Sequence, residues 1–175
     1  MGLFHNFNPR QLDQSFSDPP IPLGEFLLLS EDDWRAVHPN SAYRTTPTTP
    51  LGGAILKCVY NDEASTAFAK GDCVITDTDY AIGNAILSTG TVARSLVEGF
   101  AQWAITAGEY GFVLVYGVGY AKGDGSVAAG ESIVSHSSNQ VDTMASGEEH
   151  KVIGHAREND GSAGDAFEIF ASVHF

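Results

Sequence analysis

The chain has 175 residues, a formal net charge of −13 and 43% hydrophobic residues, enough for a folded core. A negative charge of that size excludes nucleic acid and anionic membrane as natural partners, because like charges repel. No run approaches the roughly 18 apolar residues of a spanning helix, no cationic-then-apolar signal peptide is expected at the N-terminus, and Cys58 and Cys73 read as buried reduced thiols rather than a bridge.

All seven prolines lie at or before position 50. Proline fixes φ and cannot donate to a strand ladder, so residues 1–50 read as an extended arm and not a sheet. Gly2 to Asp18 mixes polar residues with Phe4, Phe7 and Phe16, apolar anchors suited to a strap laid over another surface. The same composition also suits a disordered terminus. Ser30 followed by Glu31, Asp32 and Asp33 predicts a helix over 31–37, with Ser30 as N-cap and the acids at the positive end of the dipole. Pro39 ends it, and Trp34 is a packing anchor for the arm. Thr45 to Pro50 reads as an extended linker.

From Leu51 the texture is β. Ala54–Tyr60 and Asp72–Thr76 read as strands, while Thr89–Ser95 is ambiguous between strand and loop. The longest period-2 stretch is Gly111–Ala121, with Phe112, Leu114, Tyr116, Val118 and Tyr120 on one face. That bulky face is expected on the core. Its small face, with Gly117 and Gly119, leaves room for a close neighbour. Val97–Ile105 precedes it and predicts a central hairpin turning at Thr106–Tyr110. Glu131–Ser135, Lys151–Arg157 and Ala166–Val173 follow as strands. Many short strands with Gly-rich turns define an all-β class: a β-barrel, β-tulip or sandwich of short antiparallel strands over 51–175, carrying the Pro-rich arm of 1–50.

A small-Gly-acid phrase opens four of these strands: Lys70-Gly71-Asp72, Ala107-Gly108-Glu109, Ala129-Gly130-Glu131 and Ala163-Gly164-Asp165. Glycine supplies the positive φ of a tight turn and the acid caps local amides. The spacing is irregular, so this is a reused turn and not a solenoid.

No residues specify catalysis. His150 and His155 sit five apart on an extended segment and face opposite sides. Asp77-Thr78-Asp79 and Asp124-Gly125-Ser126 lack the remainder of a calcium loop and read as turn acids. Ser135-His136 are sequence neighbours on an extended chain and point apart, with no nucleophile elbow. The expectation is a protein that is not an enzyme, with no catalytic residue, cofactor or metal.

The β region, roughly 51–174, resembles the decoration, or cement, proteins of tailed-phage capsids. Asn61 to Thr66 followed by Ala69–Val74 looks like the family's opening strand, turn and second strand. Ala107–Val113 into Gly117-Val118-Gly119 looks like its central hairpin. Val127–Val134 and the pair Val152–Ala156 with Gly164–Ile169 match its later phrases, Glu131 standing for the usual Asp. The resemblance implies a structural protein on the outer capsid surface of the virion, assembled in the host cytoplasm. It implies a homotrimer that stabilises the shell by binding the major coat protein across subunit boundaries. Phe4, Phe7, Phe16 and Trp34 are then the candidate coat-binding residues of the arm. The same phrases occur in tail and fibre modules, so a receptor- or glycan-binding module is the alternative, with Tyr110 and Tyr120 as stacking platforms.

Overall fold

The computed structural model describes residues 8–45, 50–79 and 81–173. Phe4, Phe7 and positions 46–49 of the expected linker lie outside them. Among the described residues the fold is all-β: a 10-stranded sheet with two short α-helices.

The first strand, β1 (Phe26–Leu29), is followed by helices α1 (Glu31–Val37) and α2 (Ser41–Thr45). Then come β2 (Ala54–Asn61), β3 (Cys73–Thr76), β4 (Asn84–Leu87), β5 (Val97–Ala101) and β6 (Tyr110–Lys122). The chain closes with β7 (Ser132–Ser135), β8 (Val141–Thr143), β9 (Gly154–Ala156) and β10 (Ala166–Ser172).

β1 corrects the expectation that the first 50 residues hold no sheet, since it pairs antiparallel with β2, Phe26 opposite Lys57. The run between Pro22 and Pro39 contains no proline, so a strand and a helix both fit within it. β4 and β8 are also strands that the sequence pattern does not announce. The ambiguous stretch before β5 holds a single 3-10 turn, Arg94–Leu96.

β6 is the spine. Its first half pairs with β2 on one edge and β5 on the other. β2 also pairs with β4 in parallel, β4 with β3 and β3 with β5, so five strands close into a ring. Each contributes one small aliphatic residue to a single cluster: Val59, Val74, Ala85, Ala101 and Val113, joined by Phe68 and Ile105. Closure removes the exposed edges that such short strands would otherwise present. The second half of β6 pairs with β10, and β9, β7 and β8 follow outward. A parallel bridge from Gly123 to Val141 brings β8 back to the end of the spine.

The predicted alternation of β6 holds up to Leu114 and then breaks. Ile55 faces Tyr116 but Leu56 faces Leu114, so Val115 is an extra residue and the strand bulges there. Phe112, Leu114 and Val115 are buried, while Tyr116, expected in the core, is turned outward at 37% exposure against Phe170. Beyond the bulge the small face does admit close neighbours. A Cβ on Gly117 would meet Gly53 O at 2.9 Å, and one on Gly119 would strike Gln102 Oε1 at 2.7 Å. Gln102 uses that space as a strand would. Its Oε1 accepts from Tyr120 N at 3.0 Å, and its Nε2 donates to Tyr120 O at 3.1 Å.

The glycine turn recurs beyond the four phrases read from sequence. Seven tetrads end in a backbone bond of 2.9–3.2 Å from the fourth N–H to the first carbonyl: Pro22–Glu25, Ala69–Asp72, Ala81–Asn84, Thr106–Glu109, Ala128–Glu131, Ala145–Glu148 and Ser162–Asp165. The third residue is always glycine, with φ between 76° and 91°, the signature of a type II turn. Six of the seven lead directly into a strand. Three acids reach back to the first residue's N–H: Asp72 to Ala69 at 2.6 Å, Glu131 to Ala128 at 2.8 Å and Glu148 to Ala145 at 3.0 Å. That bond is the main reason the Glu131 and Glu148 carboxyls titrate below the usual range.

Candidate functional site

The four candidate coat-binding residues have different fates. Phe4 and Phe7 lie outside the described residues. Phe16 is half-buried, bridges Tyr110 through two backbone bonds of 2.8 Å, and stands edge-on to Phe112. Trp34 has no exposed surface at all, which corrects its assignment as a contact for another protein. Its indole N–H donates to Val118 O at 2.9 Å, and its ring stands edge-on to Trp103 and His38. α1 forms as the sequence predicts: Ser30 Oγ accepts from Asp33 N at 3.2 Å, and the Glu31–Arg35 pair closes one turn later at 2.6 Å. Glu31 also accepts from Leu51 N at 3.1 Å, the largest cause of its lowered pKa, and so ties the helix to the start of the β region. The helix thus aims Trp34 inward, onto the chain's own spine.

Around Trp34 lies a buried aromatic and polar knot. His38 is fully buried; its Nε2 lies 3.3 Å from Val118 O and its Nδ1 accepts from Asn40 N at 3.1 Å. Both ring nitrogens are satisfied only in the neutral form, and burial lowers its pKa to about 4. Asn40 Nδ2 donates to the Tyr120 hydroxyl at 2.8 Å, and Lys70 Nζ sits 3.5 Å above the Tyr120 ring. The Tyr43 hydroxyl donates to Glu168. Tyr120 is only 7% exposed, so it offers no platform for a sugar. Tyr110 is half-buried against Tyr60.

The exposed large apolar side chains form a different surface. Leu28 is 63% exposed on β1, opposite Ile55 of β2, which is itself opposite Tyr116 of β6. These three make one row across the sheet and continue to Phe170, half-buried on β10. Ile82, 79% exposed, stands at the tip of the Ala81–Asn84 turn.

The residues weighed for chemistry are placed as follows. Ser135 Oγ is buried and accepts from Val92 N at 3.0 Å, which removes it from His136 as a nucleophile. His155 Nδ1 lies 3.2 Å from Ser132 Oγ, and His150 lines a groove with Arg94 and Val173. Asp77 and Asp79 are joined by Asp62 from the end of β2, with one carboxylate oxygen of each within 4.8 Å of the others. Sequence separation hides Asp62 from any local motif. Desolvation and then the neighbouring Asp77 raise the Asp62 pKa, while Asn84 Nδ2 at 3.0 Å opposes the shift. Cys58 and Cys73 are free and buried, and burial pushes their thiols up to about 11 and about 12.

No family model matches this chain, and no curated protein matches it. Among solved structures the chain is similar to the head fiber gp8.5 N base of bacteriophage phi29, with a TM-score of 0.47 and 10% identity over 67% of this chain and 92% of that one. A likeness of that degree assigns neither a function nor a partner.

Proposed function

We propose that this chain is a structural protein of a tailed-phage virion, one that decorates the outer capsid surface by binding the major coat protein across subunit boundaries. One observation carries the reading. The phrases resembling the decoration family map onto the turns that open β3, β6, β7 and β10, so the resemblance covers the framework of the sheet and not scattered loops. The acidic charge of −13 suits a partner with a basic surface. The protein acts as a homotrimer at local threefold positions, where many equivalent copies multiply a modest affinity. Its contacts come from the apolar row at Leu28 and Ile55 and from the N-terminal segment carrying Phe4 and Phe7.

The test is co-sedimentation with expanded coat shells lacking this protein, read as bound copies per coat subunit. Saturation near one copy per coat subunit is the expected result. A few copies per particle would assign a vertex, tail or fibre role instead, and no binding would end the capsid reading. Deleting residues 1–7 is expected to weaken attachment and leave the fold intact by circular dichroism. A deletion through residue 20 is unsuitable, because Leu12 is 1% exposed and Phe16 packs on Phe112.

A further inference from the structure

Where the end of β6 meets the Ala69–Asp72 turn and the loop before β8, two side chains and a backbone N–H converge on one buried carboxylate. Asp72 is 2% exposed. Its Oδ1 lies 2.5 Å from Lys122 Nζ and also accepts from Asn139 Nδ2. Its Oδ2 is engaged by Ala69 N at 2.6 Å, which fixes the carboxyl plane. The backbone holds all three parties. Lys122 N donates to Gly71 O at 2.8 Å, Cys73 N donates to Asn139 O at 2.8 Å, and Asn139 N donates to Ser88 O at 2.9 Å. Asn139 is kept at φ 58°, a left-handed conformation uncommon outside glycine. An amine and a carboxamide are therefore each one hydrogen bond from the same acid, on backbone that is itself pinned.

We infer that Lys122 and Asn139 become joined by an amide bond, with Asp72 as the acid–base group that promotes it. A free ammonium is no nucleophile and a carboxamide is a poor electrophile, so the reaction needs both activated and held together. In the reacting pair one proton passes from the Lys122 ammonium to Asp72 along their hydrogen bond, which frees the amine lone pair for attack. The protonated carboxyl then donates to the carboxamide oxygen after a half-turn about the Asn139 Cβ–Cγ bond, polarising the carbonyl. The Nζ–Cγ bond forms and the Cγ–Nδ2 bond breaks. Asp72 relays the protons to the departing nitrogen and ends as a carboxylate. Ammonium plus carboxamide becomes secondary amide plus an ammonium ion, so no oxidant, metal or co-reactant is required. The product ties the end of the spine to the β7–β8 loop by a covalent bond.

The experiment is intact mass measurement of the full chain, denatured and reduced, after incubation to constant mass, with peptide mapping. The expected mass is short by one ammonia, and the peptides holding Lys122 and Asn139 are recovered as one branched species. Lys122→Arg keeps a cation on Asp72 but restores the full mass and separates the peptides. Asp72→Asn is expected to leave the two side chains unlinked. A wild-type chain at full mass with separate peptides would overturn the proposal. So would an ammonia loss that maps elsewhere, including a succinimide at Asn139 itself.

Discussion

The two faces of the first half of β6 look onto differently built cores. On one side Val113 points into the five-stranded ring, filled by one small aliphatic from each strand and closed by Phe68 and Ile105. On the other side Phe112 and Leu114 look onto a larger cluster that the strands do not complete alone. It needs Leu12, Ile21, Leu27, Leu29, Trp34 and Val37 from the first forty residues. The ring is a core made by a sheet closing on itself. The outer core is made by a segment wrapped over a sheet, and its polar groups need specific partners. Such a segment is structural where it reaches the core, and only the surface beyond can serve a partner.

Two truncations test whether these cores are equally cooperative. Phe68→Ala in the ring and Trp34→Ala outside it both empty a fully buried aromatic site. Each is expected to cost about 3–5 kcal/mol in denaturant unfolding. If Trp34→Ala costs under about 1 kcal/mol, the wrapped segment is not part of the cooperative unit and the comparison collapses.

Acid should distinguish the cores next, because only the outer one buries a neutral imidazole. The His38 pKa of about 4 lies below its unfolded value near 6.5. The unfolded chain therefore binds the proton first, and stability falls as pH drops from about 6.5 to about 4. The loss is on the order of 3 kcal/mol by urea titration at several pH values. His38→Gln should flatten that slope, whereas Phe68→Ala should lower the whole curve and keep it.

The smallest expected effect lies in the turns. Gly130 has φ 89° and open space where a Cβ would go, so Gly130→Ala should cost about 1 kcal/mol from backbone strain alone. Gly71 has φ 87° but its Cβ would meet Lys122 N at 3.0 Å, so Gly71→Ala should cost more. Equal melting shifts for the two would mean that the Gly71 turn does not pack on the spine.

What the sequence revealed follows the same division. The alternation of β6 and the glycine-acid turns are local signals, and they marked the spine, the hairpin and four of seven turns. The turn at Ala81–Asn84 carries Asn in place of the acid, and those at Pro22 and Ala145 fall outside the strands the pattern had marked. The Val115 bulge is set by the partner strand β2, so the outward turn of Tyr116 was unreadable from the alternation. Trp34 was legible as an anchor, but its burial under Val118 depends on residues 84 positions away. The same holds for the candidate sites. Asp72 was visible as a turn acid, yet nothing local brings Lys122 and Asn139 to it, and Asp62 joins Asp77 and Asp79 only through the pairing of β2 with β4.

The sharing of β6 between two sets of strands also orders events in time. The ring needs only β2 through the first half of β6, so every residue of it has been synthesised by Tyr116. The later strands have no template until that spine is laid down, because β10 pairs with its second half and β9, β7 and β8 build outward from there. A nascent chain can therefore close its first barrel while the roughly sixty residues after Tyr116 are still being added, with the unpaired second half of β6 as the exposed template they pair with.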